Sequence, residues 1–316
     1  MRDFRIVNLR SIAIITVVIG HSIILYSSHW SILTTDVKSP LFDYAKDIIN
    51  LYQMQLYFFI SGFLMYSTLH KNQTYSKFII GKINRLIVPY FVFGLLWMLP
   101  IKNMIGLPSL TDVTILDQIK DLAGGINNGH LWFLYALFGI FAIVYPINKL
   151  LLKTLNNNVL VKIGGGILLL ILALLPIMLD KVCFRHFNIN EAILYAFWFQ
   201  LGITIHYYNL KTFILISLLS IGIFALTDPT LIISLIIVLG LYYAIPSKEN
   251  KTLDFIDRHS FGVYLIHSPL IYITFTYLKY AHPLIVFATN FIVMGGFALL
   301  LTLLIKRSRI NNLLKI

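Results

Sequence analysis

Two residues of the first apolar run are set apart by type and spacing. Asn8-Leu9-Arg10-Ser11 leads without another charge to Gly20-His21-Ser22. On a helix, the step from Arg10 to His21 returns within about 20° of its starting direction, about 16.5 Å further along the axis. A guanidinium and an imidazole thus share one face at two depths. Arginine suits anions, and histidine changes charge near neutral pH. Arg10 lies near the helix start, where it either snorkels to headgroups or acts in function. His21 lies deeper, and an imidazole there needs a partner or water, which favours function. A second imidazole stands in Ser260-Phe261-Gly262-Val263-Tyr264-Leu265-Ile266-His267-Ser268-Pro269. Ser260, Tyr264 and His267 share a face there by helical spacing. His267 serves either a structural hydrogen bond or catalysis, and Pro269 breaks the backbone ladder beside it.

Other polar groups follow the same logic. Asn50, Gln53, Tyr57 and Ser61 form one stripe. Gln53 is at a depth to line a cavity, and Ser61-Gly62 suits close helix packing. Lys82 and Arg85 precede Pro89, which predicts a kink beside two cations: an anion site or ordinary basic anchoring. His130-Leu131-Trp132-Phe133-Leu134-Tyr135 opens a further run, where an aromatic belt accounts for Trp132 and Tyr135. Asn190 and Glu191 read as a helix cap with a favourable dipole. There is no Walker motif, dinucleotide glycine fingerprint, zincin helix or His and Cys cluster for a structural metal.

These residues sit in a chain that cannot be soluble. Its 316 residues are 58% hydrophobic and 12% charged, with mean hydropathy +0.82. A soluble domain carries roughly 25% charged residues. A soluble enzyme, a coiled coil and a disordered chain are excluded. Ten apolar segments are marked, at about 7–28, 48–69, 84–101, 129–147, 159–179, 191–208, 211–227, 230–246, 260–279 and 283–305. With the N-terminus inside, 18 of the 25 basic residues and 4 of the 13 acidic ones fall on the cytoplasmic side. That bias follows the positive-inside rule, and it assigns the net charge of +12 to the membrane rather than to nucleic acid. The basic stretch Lys306-Arg307-Ser308-Arg309 argues for an even number of spans. The expected fold is all-α: a polytopic membrane protein of about ten transmembrane helices, both termini cytoplasmic, one domain over 1–316. Residues 1–28 are read as a retained first helix, since no small-residue cleavage site follows. The lone Cys183 allows no internal disulfide.

Five stretches resemble the acyltransferase-3 family of integral membrane acyltransferases. They are Arg10 with His21, Tyr57-Phe58-Phe59-Ile60-Ser61-Gly62-Phe63, Arg85 with Pro89-Tyr90, Leu131-Trp132-Phe133-Leu134, and Val263-Tyr264-Leu265-Ile266-His267. They occur in the family's order and cover roughly residues 5–135 and 255–270. Relatives often carry an acidic residue where this chain has Asn8, so a carboxylate to pair with Arg10 is expected to be missing. Lys82 stands where some relatives have a second arginine; it keeps the charge without bidentate geometry.

The resemblance implies transfer of an acyl group, most often acetyl, from acyl-CoA to a hydroxyl of a cell-envelope glycan or lipid-linked sugar. It implies a multi-pass protein of the bacterial plasma membrane, with membrane lipids as partners and no permanently bound cofactor. Arg10, Lys82 and Arg85 are expected to hold the phosphates of acyl-CoA. A hydroxyl attacking a thioester needs a base titrating near neutrality, and His21 is assigned that role. A transient acyl-His is the variant. Tyr264 or His267 orients the acceptor or stabilises the oxyanion, and Gln53, Ser61 and Trp132 are assigned to substrate contact. A lipid-linked glycan transporter is the competing class, although paired interrupted halves are not found. A purely structural subunit would tolerate loss of His21.

Overall fold

The computed structural model describes residues 3–27, 35, 37–107, 110, 112–155, 158–179, 182–184, 186–208, 210–225, 228–309 and 311–314. Among them there is no strand. The helices in chain order are α1 Phe4–Ile23, α2 Pro40–Asn50, α3 Gln53–Leu69, α4 Tyr75–Lys82, α5 Val88–Phe93, α6 Leu99–Met104, α7 Ile115–Ala123 and α8 Trp132–Thr154. They continue with α9 Asn158–Met178, α10 Ile189–Thr204, α11 Leu210–Ala225, α12 Thr230–Ala244, α13 Lys251–Leu278, α14 Pro283–Ala288, α15 Gly295–Arg307 and α16 Asn311–Leu314. Wider π turns at Ile83–Ile87, Gly94–Met98 and Thr289–Met294 join α4 to α5, α5 to α6, and α14 to α15.

Among the described residues, seven helical stretches are long and apolar enough to cross a membrane: Phe4–Tyr26, Pro40–Leu69, Tyr75–Met104, Gly129–Thr154, Val159–Met178, Lys251–Leu278 and Pro283–Arg307. The other three expected spans are shorter helices of 16, 16 and 15 residues, α10, α11 and α12. Three boundaries differ from expectation for local reasons, the third stretch starting at Tyr75 rather than 84 behind the Thr74 cap. The second stretch starts at Pro40 rather than near 48, because a proline in the first turn loses no hydrogen bond there. The ninth starts at Lys251 rather than 260, because the Asn250 side chain accepts from the Thr252 and Leu253 amides at 3.0 and 3.1 Å. The cap of α10 is Asn188 in a left-handed conformation, not Asn190. The side chain of Asn190 instead accepts from the Phe184 amide at 3.2 Å and donates to its carbonyl at 3.3 Å.

The described residues fall into two compact units. One comprises Met1–Gln53, Val88–Leu131 and Ala244–Ile316. In it α1 lies along α13, and α13 along α15. Arg10 meets Asp257 and His21 meets His267, so α1 and α13 run parallel. Ser22 meets Asn290 and Gly295 faces Val18, so the α14–α15 stretch runs antiparallel to α1. Ile23, Leu25, Tyr26, Phe42, Ile49, Ile271, Tyr272, Phe275 and Val286 form a buried apolar cluster in this unit. The amphipathic α7 follows the Thr114 cap, and its Gln118 exchanges hydrogen bonds with Asn103 at 2.7 and 3.1 Å.

The other unit comprises Met54–Ile87 and Trp132–Tyr243. Its α3 and α10 cross at glycines. A Cβ at Gly62 would collide with the Phe199 carbonyl, and one at Gly202 with the Phe59 carbonyl. Only glycine lets the two backbones come this close. Asn148 of α8 and Gln200 of α10, both fully buried, exchange hydrogen bonds at 2.9 and 3.2 Å.

Candidate active site

The charged end of the first unit is built on α1 and α13. Both oxygens of Asp257 accept from Arg10, one from Nε and the other from Nη2 at 2.8 Å. The Asp257 side chain is 1% exposed and that of Arg10 29%. The carboxylate expected to be missing at position 8 is therefore supplied by another helix. Asn8 instead ties down the chain just before α13 begins, where its Nδ2 donates to the carbonyls of Pro246 at 3.1 Å and Lys248 at 3.0 Å. Nearby, Arg258 pairs with Asp254 one turn earlier on α13, and Lys306 of α15 donates to the Arg258 carbonyl.

Three turns further along α1, three imidazoles come together. His21 Nδ1 lies 2.9 Å from the Val17 carbonyl and 3.4 Å from His267 Nε2. His267 is fully buried, and its Nδ1 lies 2.9 Å from each of the Val263 and Tyr264 carbonyls. A carbonyl only accepts, so each Nδ1 carries the hydrogen. The tautomers are assigned from these partners. His267 Nε2 then presents its lone pair to the His21 Nδ1–H, and the lone pair of His21 resides on Nε2. The two rings meet edge to face with centroids 5.0 Å apart.

The third imidazole is His130, on the short turn Gly129–Leu131 before α8, with its ring centroid 5.5 Å from that of His267. Its Nε2–H donates to the Leu265 carbonyl at 3.2 Å. That carbonyl is the one Pro269 leaves without a helical donor, because proline has no N–H to return four residues back. Tyr264 is on the other side: its hydroxyl donates to the His130 backbone carbonyl. Pro269 and Tyr264 thus fix His130 against α13, and His130 Nδ1 is buried without a partner. Gln53, also in this unit, gives its Nε2 hydrogen to Asn50 at 3.0 Å, and its Oε1 is buried without a donor.

The remaining expected site residues belong to the other unit. The Lys82 ammonium sits over the Phe141 ring at 3.4 Å and the Phe78 ring at 5.3 Å, a cation–π arrangement. Arg85 lies in the π turn Ile83–Ile87 that precedes Pro89. Ser61 donates to the Tyr57 carbonyl at 2.8 Å. Trp132 lies against Tyr195 and Phe58, with centroids 5.6 and 6.4 Å away.

The sequence reading did not assign Asp257 or His130. Asp257 precedes His267 by ten residues much as Arg10 precedes His21 by eleven, and that repeated interval was the available signal. For His130, the signal was the carbonyl freed four residues before Pro269. Among the described residues, no group of three His, Cys, Asp or Glu side chains is arranged to hold a metal ion.

No curated protein and no solved structure matches the chain. A family model described as an acyltransferase domain, Acyl_transf_3, matches residues 4–307, from the start of α1 to the end of α15. With that match over nearly the whole chain and helices long and apolar enough for several crossings, the chain belongs to the acyltransferase-3 family, as a multi-pass membrane acyltransferase.

Proposed function

We propose that the protein moves an acetyl group from acetyl-CoA to a hydroxyl of a cell-envelope glycan or its lipid-linked precursor. The observation that carries this reading is the paired imidazole of α1 and α13. His21 keeps one nitrogen free as a base, and its other nitrogen is held by Val17 and His267. In the reaction, the acceptor hydroxyl oxygen attacks the thioester carbonyl carbon while His21 Nε2 takes its proton. Positive charge on the His21 ring is stabilised through Nδ1–H by the His267 lone pair, the part a carboxylate plays in a serine triad. The tetrahedral adduct collapses, the carbon–sulfur bond breaks, and the thiolate takes the proton back from His21. The products are an ester and free CoA.

In this reading Arg10 faces the donor's phosphates and Gln53 lines the acceptor's path. Asp257 fixes the Arg10 guanidinium through both of its oxygens. The chain is one catalytic domain of ten spans in a bacterial plasma membrane, both termini cytoplasmic. Parallel α1 and α13 with an antiparallel α15 support this order, since spans one and nine must run alike and span ten against them. The test is transfer from radiolabelled acetyl-CoA in membranes holding the full chain. The reading expects label in envelope glycan that hydroxylamine releases as an ester. Glycan export without ester formation would overturn it in favour of a transporter.

A further inference from the structure

A buried cation stands beside the proposed base. Lys46, on α2, is 6% exposed, and among the described residues its ammonium meets no carboxylate. Gly20, the residue before His21, shows where it points. A Cβ there would stand 3.2 Å from Lys46 Nζ and 3.3 Å from Gln53 Oε1. Gln53 is 7% exposed, and this oxygen is the one left without a donor. A lysine charge and an empty acceptor therefore converge on the bare backbone of Gly20, where even a methyl would be tight against Lys46, Gln53 and Ile49. A second buried cation, Lys102, lies beside the turn of His130 and is held by the Asn127 carbonyl at 3.1 Å. A buried charge without a counterion and a buried acceptor without a hydrogen are each unfavourable, and a ligand supplying both partners relieves both.

We propose that Lys46 and Gln53 bind an acidic acceptor. Lys46 holds an anionic oxygen group, carboxylate or phosphate, and Gln53 Oε1 accepts from a neighbouring hydroxyl while His21 acts on the hydroxyl to be acylated. This rests on the acyl-transfer reading. The phosphates of acyl-CoA are assigned to the Arg10 end, about 16.5 Å along α1 from His21. The acetyl thioester itself is neutral. The anion expected beside His21 therefore belongs to the acceptor. A lysine point charge suits carboxylate and phosphate alike.

The test uses full-length protein purified in detergent, radiolabelled acetyl-CoA, and acceptor extracted from the host envelope. Labelled sugar is released, separated by anion exchange and identified by mass. The proposal expects the ester on an acidic sugar or a sugar phosphate. Label extracted into organic solvent assigns the anion to a lipid-linked phosphate, and label in aqueous polymer to a sugar carboxylate or phosphate. Lys46→Met should raise the acceptor KM at least tenfold and leave the acetyl-CoA KM unchanged, and Lys46→Arg should retain most of the binding. An ester on a neutral sugar with Lys46→Met indistinguishable from wild type overturns the proposal. So does a Lys46 effect seen only with succinyl-CoA, which would place the anion on the acyl group. If Lys46→Met does not fold, the charge of the wild-type product still decides. Absence of any label overturns the acyl-transfer reading itself, an outcome distinct from label on a neutral product.

Discussion

The free nitrogen of His21 depends on a neighbour that no local pattern connects to it. His267 is a positioning residue in this account: it touches His21 and holds it through Nδ1. His267→Ala removes the acceptor for the His21 Nδ1–H and should lower kcat about tenfold or more, with the KM for acyl-CoA little changed. His267→Gln, which offers an amide oxygen in place of the imidazole nitrogen, should recover part of the loss. Equal kcat in wild type and His267→Ala would remove His267 from the reaction. At this scale the sequence was informative about residue types and poor about partners. Arg10, His21 and His267 were legible because an ionisable group at membrane depth is costly unless it is used. The carboxylate opposite Arg10 was sought two residues away and lies 247 away, on α13. No one-helix reading reaches it.

The helices themselves are positioned by their irregularities. Pro269 does not end α13, which runs unbroken from Lys251 to Leu278; it exposes one carbonyl, and His130 takes it. Pro269→Ala restores a backbone donor that competes with His130 for Leu265. It also improves helix propensity, by up to about 3 kcal/mol in a helix interior. The variant should therefore fold at least as stably as wild type by thermal melting, yet lose about tenfold in transfer rate as His130 is released. Full activity in a stable Pro269→Ala protein would show that the His130 tie is structural only. Proline positions were legible as irregularities, and Pro89 does follow a π turn. Their consequence was not, because a freed carbonyl finds its partner in three dimensions. Span ends were legible only to within several residues where Pro40 and Asn250 start helices early.

For the whole molecule, composition alone was decisive: so few charges among so many apolar residues fit only a membrane protein. The direction of crossing rests on the basic residues, and the single cysteine makes it measurable. Cys183 is exposed and lies between the fifth and sixth expected spans, outside in the ten-span order. A membrane-impermeant maleimide should label Cys183 in intact cells, and Cys183→Ser should abolish that labelling. Labelling that appears only after lysis would invert the topology. The pairing of α1 with α13 was the largest feature hidden from the sequence, since it joins the two ends of the chain and its parallel register emerges only from contacts.

The central claim is that His21 is the base of an acyl transfer. The most direct measurement is incorporation of radiolabelled acetyl into envelope glycan by membranes of wild type and His21→Ala at matched expression. The account predicts ester label in the wild type and at least a hundredfold less in the variant, the range expected on losing a general base. Equal labelling in the two would contradict it.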